Sequence, residues 1–535
     1  MVESQRARQV YAVTTFFVLL ISYTYFLPKW GDWAANSRAD LVYAVGDQGV
    51  LHIDDYHENT GDKACYPGPY DLENDVCTGH YYTDKSLGPS LVALPFYVVF
   101  KAVAEIPPVR NFIDNGQMPG NFSKTLNPEG RGTIRESVYQ GMALTFITFF
   151  ATSVPGAILG AVVFLFASRF TLQPVYAFVL ALAYGLGTIA FPYSTTLIQH
   201  QMAAFGAFVG FYLLWRVVYE EASERWLWLV GVLFGLVAIT EYPVVIMVGI
   251  VFLWAAYAMP NRLALYRVVI GAIPLGLIFA AYNFAIFSTP IPVGYEYSTL
   301  WQDSHSTGFL SFTAPSLLRY YGLTFSPVRG LFLLSPFLLL MIPGVILMWR
   351  RRADQRSMNI ALTLAVFVHL TIYASSEMWW GGSTVGPRYL MPMLPFMIIP
   401  MSFVANTLFT RRWGIALTGI LVALSVGHVW ALTIAGNEWQ WSGNLAATWE
   451  EMNTTLPLSD YAIPLLNAGD VARNYGGLLL NLDGLASLIP LIIMVAVISV
   501  GLPYLLLNRL PGRKFQHRDL KNGVTAQDEM RAKTS

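Results

Sequence analysis

The residues best suited to chemistry lie in three polar stretches of an otherwise apolar chain. The first follows residue 27 and is rich in aspartate, with Asp54 and Asp62 on either side of the turn YHENTG and YYTDK at its end. Tyr81, Asp84 and Lys85 would hold a carboxylate and an ammonium side by side at the membrane surface. Any single aspartate here can equally do no more than solvate a water-exposed loop.

Two ionisable residues at helix ends form the second stretch. His200 opens an apolar run in YSTTLIQHQMAAF, and Glu241 stands between two apolar runs in AITEYPVV. An ionisable group at membrane depth is a functional candidate, because its desolvation costs several kcal/mol unless it is paired. The alternative is a helix-end side chain that reaches water.

The third stretch, EMWWGGSTVGPRYLMPMLPF at 377–396, combines glycine, tryptophan and a single arginine. Gly381 and Gly382 allow a ligand to approach the backbone closely. The planar guanidinium of Arg388 is suited to a phosphate, which it binds through two parallel hydrogen bonds. Trp380 and the distant Arg38 are further candidates for the same pocket. The alternative is an aromatic belt with Arg388 reaching the interface.

The two cysteines, Cys65 and Cys77, both lie in the aspartate-rich stretch. On an oxidising face of the membrane, such a pair predicts a disulfide worth about 3 kcal/mol by loop closure; two free thiols are the alternative. Only His57 and His80 lie near them, and their spacing fits no familiar zinc finger. We therefore predict no metal site, while the dependence of any activity on a divalent metal stays open.

The composition predicts that these stretches are carried by a membrane protein. Of 535 residues, 55% are hydrophobic and 12% are charged, about half the charge of a soluble chain. The mean hydropathy is +0.48. The net charge of zero, without a basic stripe interleaved with aromatics, predicts no nucleic-acid partner. The start MVESQRARQVYAV has no small-residue cleavage site, so we expect an uncleaved first membrane helix.

Apolar runs of about 20 residues predict an all-α polytopic fold with twelve membrane spans. Arginine and lysine mark the cytoplasmic side, and basic connections fall on one side only if 88–105, which contains Pro95, is an interfacial or re-entrant helix. We expect this protein in the plasma membrane with both termini cytoplasmic. The predicted spans are 9–27, 138–167, 173–193, 201–216, 227–240, 243–259, 267–287, 330–349, 358–375, 389–408, 414–435 and 485–507.

This topology puts the polar stretches outside and leaves the cytoplasmic connections too short to hold a nucleotide-binding domain. The chain divides into the N-terminus and first helix (1–27), a first outer loop with interfacial helices (28–137), a helical core (138–436) with outer loops 288–329 and 376–388, a last outer loop (437–484), a last helix (485–507) and a basic cytoplasmic tail (508–535).

Several of these segments resemble a known family. NSRADLVYAV, GVLHIDDYHENTGDKA and GHYYTDKSLGPSLVALPFY together resemble the first outer loop of bacterial GT-C glycosyltransferases, in the branch of the protein O-mannosyltransferases and the lipid A aminoarabinose transferases. SPVRGLFLLSPFLLL (326–340) and MWWGGSTVGPRYLMPMLPF (378–396) are similar to related bacterial members. The resemblance covers most of the chain through about residue 400.

The resemblance implies transfer of a sugar, with inversion, from a polyisoprenyl phosphate to an extracytoplasmic glycan, lipid or protein hydroxyl. An aspartate of the first loop would be the general base, and Lys85 and Arg388 would hold the phosphate. The better-known members carry an acidic pair where this chain has Ala35-Asn36-Ser37-Arg38. We therefore expect Asp62, or else Asp54, as the base, with Asp32, Asp40 and Asp84 next.

Two other classes of function remain open at this stage. A transporter or lipid flippase would place polar groups on broken helices near the bilayer midplane, often with internal repeats, and an assembly protein would use the loops only for docking. We see no repeat between the halves of the chain. The sugar, the acceptor, the isoprenoid and the oligomeric state are not specified by the sequence.

Overall fold

The computed structural model describes residues 2–28, 32–74, 76–115, 134–291, 294–302, 311–382, 384–436 and 449–508. Helix makes up 74% of the structure, and strands are confined, in these ranges, to two small ribbons. The protein is therefore an all-α polytopic membrane protein, as the composition predicts. This outcome follows from the solvent, because a backbone in hydrocarbon must satisfy its hydrogen bonds within its own segment.

Eight helices of the described chain are long and apolar enough to cross a membrane. They are Leu87–Ala104, Val138–Ala167, Gln199–Tyr219, Arg262–Phe287, Ala353–Ala374, Arg388–Leu408, Arg412–Ile434 and Gly484–Leu507. Three shorter apolar helices, Pro174–Gly187, Trp226–Thr240 and Val244–Ala258, stand among them.

The α-helices are numbered here in chain order. They are α1 (Val2–Thr24), α2 (Trp33–Tyr43), α3 (Leu87–Ala104), α4 (Pro107–Asn115), α5 (Ile134–Thr148), α6 (Val154–Ala167), α7 (Pro174–Gly187), α8 (Gln199–Tyr219), α9 (Trp226–Thr240), α10 (Val244–Ala258), α11 (Tyr266–Phe287), α12 (Leu317–Thr324), α13 (Leu331–Leu334), α14 (Met341–Arg351), α15 (Arg356–Ala374), α16 (Leu394–Leu408), α17 (Arg412–Ile434), α18 (Trp449–Thr454), α19 (Ile463–Ala468), α20 (Tyr475–Leu480), α21 (Ile489–Ala496) and α22 (Leu502–Asn508).

Every predicted span contains helix, but two of them are shorter or interrupted. The predicted span 173–193 is helical only to Gly187. The predicted span 330–349 is broken between α13 and α14, where Pro336–Leu340 forms a 3-10 turn, because proline lacks the N–H that a continuing α-helix needs. The basic tail after residue 508, residues 116–133 and the first part of the last outer loop, 437–448, lie outside the described residues.

The segment that was expected to be interfacial or re-entrant forms α3, an unbroken helix of 18 residues that includes Pro95. Its length and composition would also allow a full span. It packs against α2, α5 and α9. The number of spans, and with it the orientation, therefore remains a prediction from the basic residues.

The first outer loop is built on a helix and two antiparallel ribbons. Asp32 caps α2, since its carboxylate accepts hydrogen bonds from the N–H groups of Ala34 and Ala35. Strand β1 (Lys63–Tyr66) pairs with β4 (His80–Thr83), and β2 (Tyr70–Asp71) pairs with β3 (Val76–Cys77). Cys65 and Cys77 form a disulfide that joins the two ribbons.

Close helix packing in the core depends on small residues. A Cβ added to Gly231 of α9 would lie 2.4 Å from the carbonyl oxygen of Val268, and one added to Gly271 of α11 would lie 2.7 Å from that of Trp228. Small residues at such crossings let two backbones approach closely, as in other membrane helices.

A pair of single-cysteine variants tests the topology, because the native cysteines are joined to each other. We expect Arg352→Cys to react with a membrane-impermeant maleimide only after permeabilisation, and Leu300→Cys, whose side chain is 45% exposed, to react in intact cells. If α3 is a full span, both sites change sides. Labelling of Arg352→Cys in intact cells would therefore contradict the twelve-span topology.

Candidate functional site

A buried ion pair lies where the first outer loop meets the loop after α11. The ammonium of Lys85 is 3.1 Å from Oδ2 of Asp62 and 3.1 Å from Oδ1 of Asp84. Asp62 Oδ1 accepts a hydrogen bond of 3.0 Å from the indole N–H of Trp301. Asp84 Oδ2 accepts one of 2.9 Å from Ser298. Lys85 is thus held between two carboxylates, each of which is fixed by a residue of the 294–302 segment.

Electrostatics separates the two carboxylates. Burial opposes ionisation of Asp62, but Lys85, Trp301 and Arg388 outweigh it and lower its pKa. Asp84 is the more deeply buried, and burial together with the charge of Asp62 raises its pKa despite the contact with Lys85. Asp62 is therefore the principal counter-ion of Lys85.

Arg38 is one of the buried residues of α2. Its side chain is buried, and it donates hydrogen bonds to the carbonyl of Ala34 and to Oε1 of Gln199. Burial lowers its pKa, but a guanidinium stays charged. Its Nε finds no hydrogen-bond partner among the described residues. Arg38 thus brings a positive charge into the site without a carboxylate in ion-pair contact in the described chain.

Arg388 approaches from the glycine-rich loop before α16. A Cβ on Gly381, whose φ is +70°, would lie 3.1 Å from the Arg388 Nε, while Gly382 leaves the terminal nitrogens free space. The guanidinium lies over the ring of Tyr389 at 5.5 Å. Within the described ranges no carboxylate lies within 4.0 Å of it. Its charge helps to lower the pKa of Asp62 and also lowers the pKa of Arg38.

Arg329 supports the loop that carries Arg388. Its buried guanidinium donates to the carbonyl oxygens of Gly382, Thr384 and Gly386, the last two at 3.2 Å each. Burial lowers the pKa of Arg329 to about 10. A planar group with five donors can bind three converging carbonyls at once, so Arg329 fixes the backbone path into Arg388.

A cavity of about 290 Å³ with several polar side chains in a largely apolar wall, called the polar cavity here, lies between the end of α1 and the 192–196 turn. Asp32 lines it, with Oδ1 capping α2 and Oδ2 accepting a hydrogen bond of 3.2 Å from Thr196. Tyr193, Thr384 and Arg473 form other parts of its wall. Asp32 therefore lines space in which a ligand fits, although both of its oxygens, like those of Asp62, are bonded to protein groups.

An apolar cavity of about 450 Å³ adjoins the polar one. It lies between α1, α3 and α5, and it shares Phe26, Leu27, Pro28 and Thr195 with the polar cavity. Six of its 19 lining residues are phenylalanines, including Phe100, Phe146 and Phe149. The polar cavity and the apolar cavity thus meet at the end of α1.

His200 and Glu241 form a second buried pair, which touches the cluster at two points. His200 Nδ1 is 2.9 Å from Glu241 Oε2, and Tyr373 donates to Glu241 Oε1 at 2.6 Å. The His200 ring meets the face of Tyr389, which follows Arg388, at 5.2 Å. Gln199, next to His200, is the acceptor of Arg38. Both oxygens of Glu241 are hydrogen-bonded to protein groups. The pair therefore supports the residues around Arg388 and Arg38.

The remaining predicted site residues lie apart from the cluster. Asp54 makes its contacts with His80, His52 and the N–H of Tyr81, and none with Asp62 or Lys85. Tyr81 stacks on His57 at 3.9 Å and lies under the ammonium of Lys63. Trp380 is half-buried and packs against the main apolar core. Asp40 is buried, which raises its pKa, and bonds to Asn59.

Sequence reasoning missed several residues of this site. Trp301, Ser298 and Arg329 carry no local signal, because their partners lie far away in the chain. Tyr295, whose pKa burial raises to about 12, faces Lys85 and Arg38 from the same overlooked segment. The only sequence feature that could have indicated Arg329 was the motif SPVRG at 326–330, which was considered for its family resemblance and not for its arginine.

The support from Arg329 is open to a direct test. Arg329→Lys keeps the charge but cannot reach three carbonyls, and each buried acceptor left unpaired costs about 1–3 kcal/mol. We expect a loss of about 2–6 kcal/mol in the free energy of unfolding, visible as a lower midpoint in thermal unfolding of the detergent-solubilised protein. Arg350→Lys, at an exposed position, is the control. Equal midpoints for the two variants would contradict this account of the loop.

The chain matches no family model and no curated protein sequence. Among solved structures it is similar to the crystal structure of ArnT from Cupriavidus metallidurans bound to undecaprenyl phosphate. The alignment has 14% identity and a TM-score of 0.43, and it covers 93% of this chain and 75% of that one. At this identity and score we draw nothing from the likeness about the donor, the acceptor or the site residues.

Proposed function

We propose that the protein is an integral-membrane glycosyltransferase of the GT-C type, which moves a sugar from a polyisoprenyl phosphate to an extracytoplasmic hydroxyl with inversion. The motifs of the first outer loop suggest the reaction class. One structural observation carries the proposal. Arg38 and Arg388 both interact electrostatically with Asp62, the partner of Lys85, and in the described chain neither has a carboxylate within 4.0 Å.

Phosphate is the ligand that best suits this arrangement. A buried charge without a counter-ion costs several kcal/mol. Arg38 is buried and Arg388 is half-buried, so these two guanidiniums favour an anion that enters with the substrate. The planar fork of arginine matches phosphate through parallel hydrogen bonds. In a transfer from a lipid phosphate, negative charge grows on the leaving phosphate, and fixed cations stabilise that charge most in the transition state.

The two cavities suit the two halves of such a reaction. The apolar cavity between α1, α3 and α5 has the character needed for the first units of an isoprenoid chain. The polar cavity has room for a sugar or for the acceptor hydroxyl. Because they meet at the end of α1, the phosphate would sit at their junction, close to Asp32 and Tyr193, with which Arg388 interacts electrostatically.

The base is a separate part of the proposal, for which Asp32 and Asp62 are the two candidates. A general base must reach the hydroxyl whose proton it takes. Asp62 has a lowered pKa and gives one oxygen to Lys85 and the other to Trp301, which suits a residue that positions Lys85. Asp32 lines the polar cavity, so we assign the base to Asp32 and not to Asp62 or Asp54.

Comparison of cell-envelope glycans with and without the gene tests the function. Loss of one glycosylated product, with accumulation of its unmodified acceptor, is expected on deletion, and a plasmid copy should restore it. A transporter or flippase would instead leave transfer intact in broken membranes supplied with lipid-linked sugars. Full transfer in deletion membranes would reject the proposed function.

Donor binding tests the phosphate site. Arg388→Lys loses the parallel hydrogen bonds, and one charge-assisted bond is worth about 1.5–3 kcal/mol, so we expect binding of a polyprenyl phosphate to weaken by about ten- to a hundredfold. Native mass spectrometry of the purified protein with added lipid gives the affinity. Arg412→Lys, on the exposed end of α17, should bind as the wild type does, and equal affinities for the two variants would count against the site.

Two isosteric variants separate the candidate bases. Asp32→Asn keeps the cap on α2, because asparagine caps helices as well as aspartate does. We expect it to lower turnover about 10²–10⁴-fold in the complementation assay with donor affinity retained. Asp62→Asn should lower thermal stability, because Lys85 loses a buried partner. If Asp62→Asn alone abolishes turnover while donor binding and stability are kept, Asp62 is the base. Near-normal turnover in both variants would show that neither Asp32 nor Asp62 is the base.

A further inference from the structure

Outside the charge cluster, the fold brings together three side chains of the kinds that bind metals. His52, Asp54 and His80 offer ligand atoms that all lie within 4.8 Å of one another. The Nδ1 of His80 is 2.6 Å from Asp54 Oδ2, and the Nδ1 of His52 is 3.1 Å from the same oxygen. Two imidazole nitrogens therefore face a single carboxylate oxygen.

The backbone holds these side chains in place. Asp54 Oδ1 accepts the N–H of Tyr81 at 2.8 Å, and the N–H of Ile53 donates to the carbonyl of Tyr81 at 2.7 Å. The 52–54 turn is thus fixed to the start of β4, which begins with His80. The Nδ1 of His52 is buried and has no hydrogen-bond partner in the described chain. It lies 3.1 Å from the shared carboxylate oxygen without the geometry of a hydrogen bond.

We propose that His52, Asp54 and His80 bind one divalent cation of the Zn²⁺ type. Two imidazole nitrogens and a carboxylate oxygen make up a donor set that zinc accepts, with a fourth position for water. Tetrahedral ligation at about 2.0–2.1 Å separates ligand atoms by roughly 3.3 Å. The closest pair, at 2.6 Å, must therefore spread by less than an ångström, and the pair furthest apart, within 4.8 Å, must approach by up to about 1.5 Å. The Tyr81 N–H is the outer partner that orients the carboxylate.

The site is structural rather than part of the reaction. Asp54 makes no described contact with Asp62 or Lys85, but strand β4 runs directly from His80 to Asp84 and Lys85. A cation at the start of β4 would fix that strand to the 52–54 turn, while the disulfide fixes its partner β1 to β3. The cation would therefore hold the segment that delivers Lys85 in its position.

Zinc content of the purified, untagged full-length protein tests the site. After treatment with EDTA, addition of ZnCl2 and desalting, we expect about one zinc per chain by mass spectrometry. His52→Ala, Asp54→Asn and His80→Ala should each weaken zinc binding at least tenfold. His57→Ala is the matched control, since His57 lies in the same loop but stacks on Tyr81, and it should retain the zinc.

Two results would overturn the proposal. One is a wild-type protein that keeps no stoichiometric zinc after desalting. The other is an equal loss in His57→Ala and His80→Ala, which would show non-specific binding by loop histidines. X-ray absorption of the zinc-loaded wild type does not depend on whether a variant folds. It should show two histidine nitrogens at about 2.0–2.1 Å, and a spectrum without histidine ligands would equally reject the site.

Discussion

The ion pair between Lys85 and Asp62 is the interaction on which the outer face of this protein depends. It joins the turn after α2, the end of β4 and, through Trp301, the loop after α11. The same three segments are also joined by backbone hydrogen bonds, since β1 pairs with β4 and the N–H of Thr299 donates to the carbonyl of Lys63 at 2.9 Å. A buried pair contributes little net stability compared with apolar packing, but removal of one member is costly. The pair therefore specifies one arrangement of the loops more than it stabilises the fold.

That arrangement of the loops also determines that the site carries a net positive charge. Lys85 is neutralised by its carboxylates, so the positive charge not balanced at contact distance comes from Arg38 and Arg388. Each is fixed by neutral partners, the carbonyl of Ala34 and Gln199 in one case and the ring of Tyr389 in the other. Neutral partners orient a guanidinium without cancelling its charge. An anionic ligand then finds two cations that are already oriented, which reduces the ordering cost of binding.

The sequence was informative wherever one segment decides the outcome. Hydropathy alone predicted the all-α membrane fold, since a run of apolar residues is a property of neighbours in the chain. Asp84 and Lys85 were found as a candidate pair because they are adjacent. Asp54 and Asp62, on either side of one turn, were both candidates for the base, with Asp62 preferred, yet Asp54 faces two histidines and Asp62 faces Lys85. The direction of each side chain is set by tertiary contacts, which no local pattern contains.

The residues that were missed follow the same rule. Trp301 acts on Asp62 across 239 positions, and Arg329 binds carbonyls more than 50 positions away. Arg38 was noticed, but only as a possible pocket residue on an interfacial helix. Its burial follows from the approach of Gln199, which lies at the start of a different helix.

In the glycine-rich loop, the sequence pattern correctly indicated an unusual backbone, but the reason for that backbone is visible only in the fold. Paired glycines before Arg388 suggested a close approach to the backbone. In the structure, positive φ angles at Gly381, Gly382 and Gly386 turn the chain so that its carbonyls converge on Arg329. Residues with a side chain rarely adopt positive φ angles, so the glycines are needed to build the turn itself. The loop thus uses a buried arginine, bound to three of its carbonyls, to orient a second arginine, Arg388, which in the described chain has no carboxylate within 4.0 Å.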